Sequence, residues 1–103
     1  MAYKVTETDS AERDIGEILE YMVNKLFNPS AAAAFADEID DKYVKLADNP
    51  YMYEESRDPR LKKQGYRRVS INNYVMLYLV DDSKKEVIIA RIFYGKQEYT
   101  KLI

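Results

Sequence analysis

Residues 65–93, GYRRVSINNYVMLYLVDDSKKEVIIARIF, decide the fold. Three runs rich in β-branched and aromatic residues, at 65–71, 74–80 and 86–93, are separated by Asn72-Asn73 and by the polar stretch 81–85. Such runs bounded by turn residues predict three strands in a meander. Asn tolerates left-handed backbone angles better than most residues, so Asn72-Asn73 suits a tight hairpin turn. The nearly continuous apolar runs VMLYLV and VIIARIF predict central strands covered on at least one face.

The cover must come from upstream. Ala11, Ile15, Ile18, Leu19, Met22 and Leu26 recur at helical spacing, which predicts an amphipathic helix. Asp9 with Glu12 forms a candidate capping box at its start, with Ser10 as the alternative cap. Glu12, Arg13, Asp14, Glu17 and Glu20 fall on its polar face. Asn28-Pro29 ends that helix and opens another, since Pro fits the first helical position and Asn28 or Ser30 can cap it. Ala32, Phe35, Ala36, Ile39, Tyr43, Leu46 and Ala47 continue one apolar stripe until Asn49-Pro50. The alanines at 31–34 allow close approach of another helix. Two helices with so short a connection form an antiparallel hairpin.

Periodicity vanishes over 51–64, where Asp58-Pro59 disfavours helix at the residue before proline; this reads as a loop with room for one helical turn. Tyr3 and Val5 alternate with polar neighbours and mark a short first strand near 4–6. The resulting fold class is α+β: an N-terminal strand and an antiparallel helical hairpin packed on one face of a small, mainly antiparallel twisted sheet. The opposite sheet face is left unassigned.

The chain has 103 residues, 47% apolar and 33% charged, which suits one folded domain over 1–103. It has no Cys and no His. This excludes disulfides, thiolate nucleophiles, imidazole acid–base chemistry and the usual zinc ligand sets; no metal site and no cofactor is expected. The N-terminus does not read as a secretion signal and no window approaches the length of a membrane span, so a cytoplasmic protein without a membrane partner is expected. The net charge of −2 conceals an asymmetry. Residues 1–56 carry 5 basic and 13 acidic side chains, net −8, and residues 57–103 carry 11 basic and 5 acidic, net +6. A basic surface is a candidate footprint for a polyanion or an acidic protein.

Six cations, Arg57, Arg60, Lys62, Lys63, Arg67 and Arg68, lie within twelve positions, with Tyr66 among them. Basic groups attract phosphate and an aromatic ring stacks on a base, but a solvated loop or an acidic protein partner fits the same residues. Arg91 interrupts the run VIIARIF and by the period of two shares a face with Ile89 and Phe93. It therefore pairs with a carboxylate such as Asp14, Asp37 or Asp40, or opens onto a solvated functional face. Tyr94, Lys96 and Tyr99 follow in the tail YGKQEYTKLI, where Gly95 gives a backbone break. Of ten tyrosines, Tyr21, Tyr43 and Tyr78 fit core positions with rim hydroxyls, and Tyr66, Tyr94 and Tyr99 are candidate stacking platforms. No phosphate loop, metal cluster or nucleophile elbow is present in the sequence.

In order, AERDIGEILEYM, NPSAAAAFADEI, KLADNP, GYRRVSINNYVMLYLV and EVIIARIFYGKQEY resemble the RelE/ParE superfamily of toxins from type II toxin–antitoxin modules, over nearly the whole chain. The resemblance implies a small bacterial toxin that arrests growth and serves plasmid stabilisation. Its implied partners are a cognate antitoxin that wraps it and, only through that antitoxin, operator DNA. The superfamily divides by target: the RelE-like branch cleaves messenger RNA on the ribosome, and the ParE-like branch poisons DNA gyrase. Ala11, Asp14, Ile15, Ile18 and Tyr21, the Asn28-Pro29 link and the ending Arg91-Ile92-x-x-Gly95-Lys96 resemble the ParE-like pattern. The RelE-like branch tends to carry Lys and Arg where Val69 and Val75 stand, and an Arg in place of Gln97. The expectation is a ParE-like toxin acting on gyrase, the alternative a ribosome-dependent endoribonuclease. Whether it is an enzyme is left open. Were it a nuclease, Lys62, Lys63, Arg67, Arg91 and Tyr94 would be its candidate catalytic groups, while Arg57, Arg60, Tyr66, Arg68, Lys96 and Tyr99 are candidates for target or antitoxin binding.

Overall fold

Four strands form one mixed sheet in the order β1-β4-β3-β2 in a computed structural model that describes residues 2–95. In chain order the elements are β1 (Lys4–Glu7), α1 (Asp9–Asn24), α2 (Pro29–Asp48), α3 (Pro59–Lys63), β2 (Arg67–Ile71), β3 (Tyr74–Asp81) and β4 (Glu86–Tyr94). The meander β2-β3-β4 is antiparallel as the turn chemistry predicts, and Asn72 adopts the left-handed conformation with φ of 54°. β1 joins β4 in parallel, an arrangement that needs a long crossover, here supplied by both helices.

One face of the sheet and the helical hairpin enclose the main core. Phe35, Leu46, Met76, Tyr78 and Ile89 are fully buried there, with Val69, Ile71, Ile39 and Ile92 beside them. Tyr78 donates its hydroxyl to Pro50 O at 2.8 Å and Tyr43 donates to Glu7. Tyr43 matches the expected role, whereas Tyr78 takes the core position with its hydroxyl buried rather than at the rim. Tyr21 does not: it is 51% exposed, because α1 turns that position toward an open groove.

The second sheet face, unassigned from the sequence, carries a smaller apolar cluster of Leu61, Val75, Leu77 and Phe93, with Tyr66 packed on it. The helical turn α3 supplies the lid. Asp58 Oδ1 caps it, accepting from Arg60 N at 2.8 Å and Leu61 N at 3.2 Å, and Leu61 is driven inward.

Two local expectations are corrected. The cap of α1 is Thr8, whose Oγ1 accepts from Ala11 N at 3.0 Å; Asp9 and Ser10 lie inside the helix. Thr8 wins because the same hydroxyl donates to Ala90 O on β4 at 2.8 Å, a tertiary bond that short-range pattern does not contain. Arg91 does not share the face of Ile89. The register pairs Tyr78 with Ile89 and Leu77 with Arg91, so Ala90 is an extra residue, a β-bulge that resets the alternation. Ile89 and Ile92 thereby both face the helices although three positions apart. At α2, Asn28 caps as predicted, accepting from Ala31 N at 3.0 Å with Pro29 first in the helix. Among the described residues, no helix is long and apolar enough to cross a membrane.

Candidate functional site

β1 stops pairing at Glu7, opposite Ile89, while β4 runs on to Tyr94. The remaining edge of β4 would present bare backbone groups, and α1 meets it with side chains. Thr8 takes Ala90 O. Asp14 accepts from Ile92 N at 3.0 Å and from both Arg91 Nε at 2.7 Å and Arg91 Nη2 at 3.1 Å. Of the carboxylates open to Arg91, Asp14 is the partner. The pair is mostly buried, with side-chain exposures of 22% and 10%. The bond to Asp14 raises the Arg91 pKa above its ordinary value, against the opposing effect of burial.

Beyond this pair lies a groove of about 980 Å³ between α1, the start of α2, the β2–β3 turn and the end of β4. Ile18, Tyr21, Met22 and Leu26 form one wall, Ala31 and Ala34 another, and Tyr74 and Tyr94 line the sheet side, with Glu17 and Asp14 among them. The alanines serve here by leaving space. Tyr74 packs tilted on Phe35 at 5.1 Å and edge-on to Tyr94 at 5.8 Å. Burial raises the Tyr74 phenol pKa, with Tyr21 and Tyr94 adding to the effect. Tyr94 is 41% exposed.

Arg67 sits elsewhere. Its Nη1 donates to Tyr53 O at 2.7 Å and its guanidinium lies 4.9 Å from the centre of the Tyr51 ring. Tyr51 and Tyr3 both donate hydroxyl hydrogen bonds to Asp82, which pushes the Tyr51 phenol up to about 12 and holds the Asp82 carboxyl below its usual range. A chain of contacts thus links the N-terminus, the loop after α2, the β3–β4 turn and Arg67. Apart from Arg67, none of its members was a site candidate from sequence, where Tyr3 served only to mark the first strand, because each contact joins distant positions.

Arg68 lies on the second sheet face, opposite Leu77, with Nη1 at 3.8 Å from Glu54 and a buried Nε that has no hydrogen-bond partner among the described residues. Arg57 meets the same Glu54 at 3.0 Å. Arg60, Lys62 and Lys63 are exposed on α3. Tyr66 is half-buried against Leu61 and Phe93 rather than standing free as a platform. Lys96 and Tyr99 lie outside the described residues. Of the five nuclease candidates, only Arg91 and Tyr94 come together, in the groove; Arg67 stands beside Tyr51, and Lys62 and Lys63 ride on the lid of the second face. No grouping of three or more metal-binding side chains occurs among the described residues.

A family model described as the ParE toxin of the type II toxin–antitoxin system parDE matches residues 5–99. No curated protein matches the sequence. Among solved structures, the chain is similar to one from the chromosomal ParDE toxin–antitoxin system of P. aeruginosa, at 20% identity and a TM-score of 0.71, covering 92% of this chain and 98% of that one. It is similar to one in the RelBE2 toxin–antitoxin complex of Mycobacterium tuberculosis, at 22% identity and 0.64, covering 91% and 99%. A free-state mutant of the E. coli toxin RelE aligns at 14% identity and 0.67, covering 99% and 93%.

Proposed function

The chain belongs to the ParE toxin family of type II toxin–antitoxin systems, and we propose that it arrests bacterial growth by binding a target, DNA gyrase, rather than by cutting RNA. The separation of the candidate groups carries this reading. Cleavage through a 2′-hydroxyl needs a base, charge stabilisation at the phosphate and an acid for the leaving group, all converging on one phosphate. Here Arg91 is tied to Asp14, Arg67 to the Tyr53 carbonyl and the Tyr51 ring, and the sheet face between them is plugged by Val75, Leu77 and Phe93 under Leu61. A surface built this way suits recognition of a protein partner. The same reading gives the protein a cognate antitoxin, as in the toxin–antitoxin complexes it resembles, and a cytoplasmic site of action.

The test is pulse incorporation of thymidine and methionine in bacteria during the first minutes after the protein is induced alone. Early loss of DNA synthesis while translation continues is the expected result, followed by inhibition of purified gyrase. Early loss of translation, with cleaved messages, overturns the reading in favour of the ribosome-dependent endoribonuclease.

A further inference from the structure

We propose that the outer side of α3, through Arg60, Lys62 and Lys63, is a contact surface for the phosphate backbone of duplex DNA. The platform is rigid although it is only one turn long. Leu61 is fully buried on Val75, Leu77 and Phe93, and Asp58 closes the start of the turn by accepting from Arg60 N and Leu61 N. With Leu61 held inward, Arg60, Lys62 and Lys63 are turned out to solvent. Arg60 and Lys63 stand three apart on the helix, which sets their Cβ atoms about 5–6 Å from one another. One DNA strand carries a phosphate about every 3.4 Å along its axis, so side chains of this length reach neighbouring phosphates.

The charge around α3 is uncompensated. Residues 54–68 hold six basic and three acidic side chains. Glu54 already faces Arg57 at 3.0 Å and Arg68 at 3.8 Å, and Asp58 is engaged by the backbone of α3. Among the described residues, no carboxylate lies within ion-pair distance of Lys62 or Lys63.

The makeup of the surface selects the partner. The core of a protein–protein interface is apolar and aromatic and is depleted in lysine, yet none of the large apolar side chains exposed among the described residues falls within 54–68. Single-stranded nucleic acid needs an aromatic ring on which bases stack; Tyr66 is instead half-buried against Leu61 and Phe93. Exposed cations without a stacking ring or an apolar anchor suit a duplex backbone, which asks for charge alone. The choice of DNA over RNA rests on the gyrase reading, because the substrate of that target is duplex DNA.

The test is fluorescence anisotropy of a labelled mixed-sequence DNA duplex of 20 base pairs, titrated with the purified full-length protein from 50 to 200 mM KCl. Wild type is expected to bind with a log–log salt slope of about −3, one unit for each of the three cations. Lys62→Gln with Lys63→Gln should bind at least fivefold more weakly at 50 mM KCl, with a slope nearer about −1. Lys62→Arg with Lys63→Arg should restore binding. Lys25→Gln with Lys84→Gln removes the same charge from exposed positions outside α3 and should change affinity less than twofold. Circular dichroism checks that each variant is folded. No binding by wild type, salt-independent binding, or an equal loss in the Lys25 and Lys84 pair overturns the proposal. Tighter binding to a duplex RNA or a single strand of the same length overturns it as well. The titration contains no gyrase, so its failure alongside early arrest of DNA synthesis removes this surface alone; tighter RNA binding with early loss of translation removes the gyrase reading too.

Discussion

Arg91 donates from Nε to Asp14 Oδ2 at 2.7 Å across 77 positions of sequence, and the same carboxylate oxygen accepts the backbone N–H of Ile92 at 3.0 Å. One side chain therefore neutralises an inward arginine and closes the strand edge that β1 leaves bare. The bulge at Ala90 makes this possible, because it takes Arg91 off the face of Ile89 and sets it opposite Leu77. Charge, edge and bulge form one structural unit at the head of the groove.

Removing one partner of that unit should be costly. Asp14→Ala strands a mostly buried guanidinium and an unpaired N–H, with an expected loss of about 3–5 kcal/mol. Asp14→Asn keeps an acceptor for Ile92 N and should lose less. The double change Asp14→Leu with Arg91→Met removes both charges and should recover part of the loss of Asp14→Ala. Urea unfolding midpoints rank the three; equal midpoints for Asp14→Ala and the wild type would deny the pair its structural role.

Thr8 joins two elements through one hydroxyl, as cap of α1 and as donor to Ala90 O. Thr8→Ala should cost about 1–2 kcal/mol, or roughly 5–15 °C in melting temperature for a chain of this size. Thr8→Ser should retain most of it, since both bonds use the hydroxyl alone. Asp9→Ala should matter little, and a larger loss at Asp9 than at Thr8 would move the cap back to the position favoured by short-range pattern.

The contrast between those two positions shows what was legible. The strands of the meander, the helical hairpin and the cap at Asn28 depend on neighbours within a few residues, and the periods of 2 and 3.6 expose them directly. Thr8, Asp9 and Ser10 are all competent caps, and only the position of Ala90 chooses among them. Likewise, the need of Arg91 for a carboxylate was readable, but the choice of Asp14 and the bulge were not. The clamp of Tyr3 and Tyr51 on Asp82 left no local trace. The Leu61 lid was similarly hidden, since five residues are too few to display a helical stripe.

That clamp should give stability a defined pH dependence. The Tyr3 and Tyr51 hydrogen bonds lower the folded Asp82 carboxyl below its ordinary value, so its contribution is present above the unfolded carboxylate range and is lost as pH falls through the lowered value. Tyr51 is raised to about 12 by the same bond; its contribution is complete below the ordinary tyrosine value and is lost as pH rises from about 10 toward 12. Asp82→Asn should flatten the pH dependence of the unfolding midpoint in both windows and leave the plateau between them parallel to wild type. An unchanged acid limb in that variant would show that other carboxylates carry the dependence.

Phe27 offers a way to separate stability from recognition. It is 81% exposed at the tip of the helical hairpin and holds a φ of 50°, the left-handed conformation where glycine is usual after a helix. Asn28 N bonds back to Met22 O at 2.9 Å across it, so the backbone geometry is fixed and a bulky side chain there is strained. Phe27→Gly should therefore stabilise the fold by up to about 1 kcal/mol, read as a higher urea midpoint. A ring kept exposed at such a position is a candidate contact for the target or the antitoxin, lying next to Leu26 on the groove wall. If it makes that contact, Phe27→Gly raises stability while weakening growth arrest or antitoxin affinity at least several-fold. A variant that is more stable with unchanged arrest and unchanged antitoxin affinity would reduce Phe27 to a tolerated strain in the turn.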